Sequence, residues 1–369
     1  MVLMAIDHVR VYSGVPAGGP TAGVFFTRWV THFCAPAFVF FAGTSAFLYG
    51  LALGGTPERA GSAALARYLA TRGLLLVVLE LTIIRASWTF GFDYSQFILA
   101  GVIWMLGWCM VLLALLVWLP TWLVGVIGLA IIVLQSLFAT VGVALPGVIR
   151  WLWEFLYPVG VEVKLGQGGP SVAVLYSIVP WIGVMAAGYA FGKVMVRDPI
   201  TRDRLCLRIG LAAILVFMLG ATITVLMSNP APDAPPVIFR LLNQRKYPAS
   251  VYFLLMTLGP AIALLPLAEY ARGFVAEALR TFGRVPMFYY LLHIPLIHAL
   301  SLIVWTLRDG RSGEERFATA PYVSIPDGER WSLALLYLVF AIAIAILYLA
   351  CRWFAEVKAR HPGGWLRYV

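Results

Sequence analysis

Asp7-His8-Val9-Arg10 places a carboxylate, an imidazole and a guanidinium within four residues, at the end of the apolar run MVLMAI. Histidine changes charge near neutral pH, so His8 is a candidate proton acceptor. Asp7 can stabilise its charged form. Neighbours on a helix point about 100° apart, however, so Asp7 can equally serve another partner at an ordinary polar helix end. A second imidazole, His32, follows Arg28 by one helical turn in RWVTHFCAPAFVFFAGTSAF, and the two share a face. A lone histidine at a membrane interface is more often a snorkelling or capped side chain than a catalyst. Glu80 lies midway along YLATRGLLLVVLELTIIRASW, with Arg72 and Arg85 toward the two ends. At about 100° per residue the three do not form one stripe. A carboxylate in so apolar a run needs a cation or a polar cavity, and a cationic or hydrogen-bonding partner within the bundle is expected, first of all Arg85, Arg72 or Arg28.

Two further clusters carry polar chemistry. FGRVPMFYYLLHIPLIHAL holds His293 and His298 inside an apolar helix, with Tyr289 and Tyr290 one turn before His293. Pro295 frees a backbone carbonyl there, and hydrogen bonding between helices is the plain alternative to a functional role. Asn243-Gln244-Arg245-Lys246-Tyr247-Pro248-Ala249-Ser250 ends against an apolar run and reads as a polar lid or as a Lys/Tyr interface anchor. A G-x-x-x-x-G-K-[ST] loop, a G-x-S-x-G elbow and an HExxH motif are all missing. No His/Cys/carboxylate cluster has metal spacing, so no metal is expected.

The elements that position these residues follow from composition. Of 369 residues 62% are hydrophobic and 12% charged, which excludes a soluble single-core enzyme and a disordered chain. The expected fold is all-α: a polytopic integral membrane helical bundle of about ten transmembrane helices, forming a single domain over residues 1–369. Apolar runs predict spans near 28–53, 68–87, 96–119, 121–145, 171–195, 207–228, 249–270, 285–306 and 331–354. Residues 1–10 read as the last turns of a first helix that is short or lacks its start. The net charge of +10 fits cytoplasmic loops facing anionic lipid better than a nucleic-acid surface, and no nucleic-acid partner is expected. Lys and Arg are in a small majority in 54–67, 193–208, 271–284 and the C-terminal tail, Arg367 included. The positive-inside rule puts these segments, with the C-terminus, in the cytoplasm, and the 145–170, 229–248 and 307–330 loops outside. Cys34, Cys109, Cys206 and Cys351 are scattered in or beside apolar runs and read as buried free thiols.

Four blocks, MVLMAIDHVR, RWVTHFCAPAFVFFAGTSAF, LLLVVLELTIIRASWTF and QRKYPASVYFLLMTLGP, with FGRVPMFYYLLHIPLIH in support, resemble a bacterial member of the heparan-α-glucosaminide N-acetyltransferase-like membrane family. That family belongs with the wider transmembrane acyltransferases. The resemblance implies acetyl transfer from acetyl-CoA, as co-substrate, to an amine or hydroxyl of a sugar, glycan or small molecule. It implies a membrane-embedded histidine as catalyst and, for a bacterial member, the inner membrane as location. In the animal enzymes the catalytic histidine lies between the first two spans. Residues 11–27 contain none, and His8 and His32 flank the gap. The wider acyltransferases place a histidine at the end of the first span, a position His8 fits. Their arginine about ten residues earlier would precede Met1.

The resemblance thus implies that His8 is the base, or forms an acyl-imidazole, with Asp7 orienting it and His32 as the second candidate. Arg28, Arg85 or Lys246 would hold CoA phosphates or an acidic sugar, and Glu80 would pair with one of these cations or with the acceptor. Trp88, Tyr247, Tyr290 and His293 complete the expected lining. His8 and His32 are expected to approach one outward polar cavity that Glu80 and the His293 helix also line. A transporter or flippase of a sugar- or lipid-linked substrate, and an inactive family member in an envelope complex, are the competing readings. The sequence also leaves room for a homodimer.

Overall fold

The computed structural model describes residues 1–19, 21–95, 97–157, 162–166 and 169–361. Arg367, and residues 158–161, 167 and 168 of the expected outer loop, lie outside the described residues. The chain runs α1 (Val2–Ser13), α2 (Ala22–Trp29), a 3-10 turn (Val30–Phe33), α3 (Cys34–Ala52), α4 (Ala63–Leu79), a π turn (Glu80–Ile84) and α5 (Arg85–Thr89). It continues through β1 (Phe97–Ala100), α6 (Val102–Leu116), α7 (Thr121–Ala144), α8 (Gly147–Leu156), β2 (Glu162–Lys164), β3 (Ser171–Val174) and α9 (Ile178–Met195). Then come α10 (Pro199–Met227), α11 (Val237–Leu242), α12 (Val251–Ala263), α13 (Leu265–Tyr270), α14 (Phe274–Arg284), α15 (Pro286–Asp309) and α16 (Leu333–Arg360).

Side-chain caps start α4, α10, α12 and α16. Ser62, Asp198, Ser250 and Ser332 each accept a hydrogen bond from the backbone N–H three residues on, which satisfies one of the orphan donors at a helix start. Among the described residues, seven helical segments are long and apolar enough to cross a membrane: Ala22–Ala52, Thr121–Phe138, Ile178–Met195, Pro199–Met227, Val251–Tyr270, Pro286–Asp309 and Leu333–Arg360. The protein is therefore an all-α polytopic membrane protein.

The remaining expected spans differ in instructive ways. The run at 68–87 is helical from Ala63 to Thr89 but is interrupted by the π turn that begins at Glu80. The run at 96–119 yields only α6, because Phe97–Ala100 pairs as a strand with Ser171–Val174. The pairing is parallel, Phe97 opposite Ser171 and Ala100 opposite Val174, and Glu162–Lys164 adds an antiparallel third strand. Short β-branched apolar runs at the head of a hydrophobic segment read equally well as helix or strand. The span expected from 207 starts at Pro199, because Asp198 caps it and proline suits a first helical position.

The helices form two compact units, Met1–Cys34 with Thr82–Asp93 and Tyr270–Val369, and Ala35–Leu81 with Tyr94–Glu269. In the first, α1 packs against α2, the 3-10 turn, α15 and α16, while α5 packs on α15. Met4, Ala5, Ile6, Val9 and Tyr12 of α1 are buried, although twelve residues are too few to cross a bilayer. The second unit is built on the pairs α4–α6, α7–α9, α6–α9 and α10–α12. One close helix approach there is glycine-based: a Cβ on Gly43 would lie 2.0 Å from the Met185 carbonyl oxygen, and one on Gly188 1.9 Å from that of Phe40. Thr44 seals this contact by donating to the Gly188 carbonyl at 2.9 Å.

Candidate functional site

The polar centre of the first unit is a pair of imidazoles. His8 on α1 and His293 on α15 stand with Nδ1 of His8 2.8 Å from Nε2 of His293, and their rings lie 4.7 Å apart, nearly parallel. His293 is fully buried. Its Nδ1 lies 3.1 Å from the Tyr289 carbonyl oxygen and 2.7 Å from that of Tyr290, one turn earlier in the same helix. Carbonyls only accept, so Nδ1 of His293 carries the hydrogen and, in the neutral ring, Nε2 carries the lone pair. His8 must then donate from Nδ1, which leaves the lone pair of the neutral His8 ring on Nε2. Two backbone carbonyls of α15 thus set the tautomer of an imidazole on α1.

Aromatic rings wall this pair. Trp88 meets the His8 ring edge-on at 4.8 Å, Tyr289 stacks on His293 at 5.2 Å, and Tyr290 lies tilted against it at 5.2 Å. Trp88 is fixed in turn by Tyr12, whose hydroxyl donates to the Trp88 carbonyl at 2.7 Å. His298 braces the same segment, donating from Nδ1 to the Ser87 carbonyl at 3.2 Å, with its ring between Tyr12 at 4.8 Å and Phe90 at 3.8 Å. Phe90 holds a left-handed backbone with φ of 48°, uncommon for a bulky side chain, at the end of α5.

The other expected site residues divide by unit. Asp7 joins Arg10 at 3.0 Å and Arg28 at 3.9 Å, so the carboxylate expected to orient His8 serves two guanidiniums, and His293 holds His8 Nδ1. His32 is buried in the 3-10 turn that packs on α1. Arg85 is buried and donates to Thr89 Oγ1 and to the Asp93 carbonyl, bracing its own helix end.

Glu80 belongs to the second unit, and its partners are hydrogen-bonding backbone amides rather than any of the three arginines expected. It is 1% exposed, and Oε2 accepts from the backbone N–H of Ile103 at 3.0 Å and of Trp104 at 3.3 Å. The carboxylate caps the N-terminus of α6, where unpaired amides and the helix dipole favour negative charge. Gly101 permits the approach, since a Cβ there would lie 2.4 Å from Glu80 Oε1. Arg72 turns to its own helix, donating to the Tyr68 hydroxyl at 2.8 Å. Lys246, also in the second unit, lies over the rings of Tyr176 and Tyr247, at 5.4 and 5.1 Å from their centres.

Sequence reasoning passed over Tyr12 and singled out His298 without giving it a partner. Tyr12 stands four residues after His8, and that spacing alone places it on the His8 face of α1. His298 reaches the Ser87 carbonyl from a distant segment, a contact that no local pattern announces.

A family model described as the catalytic domain of heparan-α-glucosaminide N-acetyltransferase matches residues 1–227, more than half of the chain. The matched stretch contains His8, Asp7, His32 and Trp88 and ends before His293. No curated protein matches the chain.

Proposed function

The chain belongs to the heparan-α-glucosaminide N-acetyltransferase catalytic-domain family, a family of membrane acetyltransferases, and from that premise we propose that His8 is the general base of an acetyl transfer from acetyl-CoA to an amine or hydroxyl of a sugar or glycan. The observation that carries this reading is the His8–His293 hydrogen bond, with the tautomer that the two α15 carbonyls impose on it. Nε2 of His8 takes the proton of the acceptor N–H or O–H as that atom attacks the thioester carbonyl. The new C–N or C–O bond forms, the carbonyl electrons move onto oxygen, and their return breaks the C–S bond. The proton passes from His8 to the departing thiolate, leaving CoA–SH and the acetylated acceptor. A base positioned in this way contributes about 10²–10⁴-fold. His293 keeps its hydrogen on Nδ1 throughout and holds the His8 ring, as the orienting member of a catalytic triad does.

Arg10 and Arg28 both reach Asp7, the residue before His8 in the chain, and guanidiniums on that segment are consistent with an anionic co-substrate. The same reading places the protein in a bacterial inner membrane with a cytoplasmic C-terminus. The test is to incubate the purified protein with acetyl-labelled acetyl-CoA and a panel of amino sugars and glycans, measuring free CoA and labelled product together. Acceptor-dependent CoA release supports the proposal. Uptake of the unmodified sugar into vesicles without CoA release would favour a transporter instead.

A further inference from the structure

In the second unit, the segment between α11 and α12 carries a cation whose surroundings call for a counter-charge. Lys246 is only 7% exposed, yet its ammonium makes no hydrogen bond or ion pair with any described residue. Its neighbours are the faces of Tyr176 and Tyr247, whose hydroxyls lie 3.5 Å apart. Two aromatic faces offset part of the lost hydration of an ammonium. They supply no lone pairs to its three N–H donors.

The flanking groups add donors. Ser177 Oγ, next in the chain to Tyr176, is buried without a partner among the described residues. So is Nε1 of Trp181, whose ring packs against Tyr176 at 5.7 Å. Arg245 precedes Lys246, and its charge reaches the Tyr157 hydroxyl, opposing the upward push that burial gives that phenol. Residues 243–250 include no carboxylate. Two consecutive cations, with Lys246 over two tyrosine rings whose hydroxyls lie close together, match a ligand rich in acceptors and negative charge.

We infer that Lys246, with Tyr176 and Tyr247, forms a binding site for a phosphate group. The group belongs either to a soluble phosphorylated molecule or to a phospholipid headgroup, since the segment leads directly into the membrane-crossing Val251–Tyr270. The site is built within the second unit and His8 belongs to the first, so its failure and the failure of the His8 proposal are separate results.

The test is protection of Lys246 from an amine-acetylating reagent, read by mass spectrometry on the full chain, with exposed Lys164 as the internal control. One arm uses neutral detergent with inorganic phosphate against chloride at equal ionic strength. The other uses phosphatidylcholine vesicles with and without phosphatidylglycerol, in chloride. At ten times the half-saturating concentration, labelling of Lys246 should fall about tenfold while that of Lys164 is unchanged. Protection by phosphate in detergent identifies a soluble source, and protection only with phosphatidylglycerol identifies a headgroup. No protection in either arm, or equal protection of Lys164, overturns the site. As a second measurement, the protecting ligand should raise the Tm of the native and Lys246→Arg proteins but not of Lys246→Met. A native-sized rise in Lys246→Met overturns it as well, and should that variant not fold, the labelling of the native protein decides.

Discussion

Removing the Glu80 carboxylate should destabilise the second unit without touching chemistry. The Oε2 atom accepts two amide hydrogens at the start of α6, at 3.0 and 3.3 Å, from a side chain 1% exposed. Hydrogen bonds to charged groups contribute roughly 1.5–3 kcal/mol each. Glu80→Ala breaks both and leaves two buried N–H groups unpaired, so the expected loss is about 3–5 kcal/mol. Glu80→Gln keeps an acceptor but gives up the charge facing the helix dipole, and about half of that loss should return. Gly101→Ala tests the same contact from the other side, because its Cβ would lie 2.4 Å from Oε1 and 3.0 Å from Cδ of Glu80. Overpacking of this kind costs about 1–3 kcal/mol, and the cost should shrink in the Glu80→Ala background, where the obstructing carboxylate is gone. Thermal unfolding followed by tryptophan fluorescence in detergent gives all four values. A Glu80→Ala protein with native Tm but no acetyl transfer would refute the capping argument and return Glu80 to the substrate site. Strictly additive costs in the double variant would refute the contact with Gly101.

Three further outcomes follow from the same structure. His293→Ala should lower kcat about 10²-fold with little change in KM, as a misplaced catalytic group does. Its acid limb in the pH–rate profile should move to lower pH, since the acceptor that favours the His8 imidazolium is lost, whereas a merely structural role would leave the limb in place. Gly43→Val should prevent α3 and α9 from closing, because even its first carbon would lie 2.0 Å from the Met185 carbonyl oxygen; loss of monodispersity in size-exclusion chromatography reads this. A reporter fused after Val369 should score as cytoplasmic, and a periplasmic score would reverse the proposed orientation.

The membrane-spanning fold was legible because its cause is local: runs of about twenty apolar residues need lipid. The family was legible in the blocks around His8 and Arg28. What escaped was set by pairings remote in sequence. Phe97–Ala100 reads as the start of a helix until Ser171–Val174 offers it backbone partners. Glu80 suggested arginines because hydropathy shows charges and hides amide groups, and the helix start that satisfies it lies more than twenty residues downstream. Asp7 stood beside His8 in sequence, yet the side chain that hydrogen-bonds the imidazole comes from α15. A neighbour in the chain lies about 100° around a helix, while a side chain on another helix can meet the ring directly.

The central claim is that the His8 imidazole takes the proton from the acceptor. Its most direct test is acceptor-dependent CoA release by purified His8→Ala protein, compared with native protein of matched Tm and size-exclusion profile. The account predicts a fall of about 10²–10⁴-fold in kcat with the fold intact. Near-native turnover by His8→Ala would contradict it.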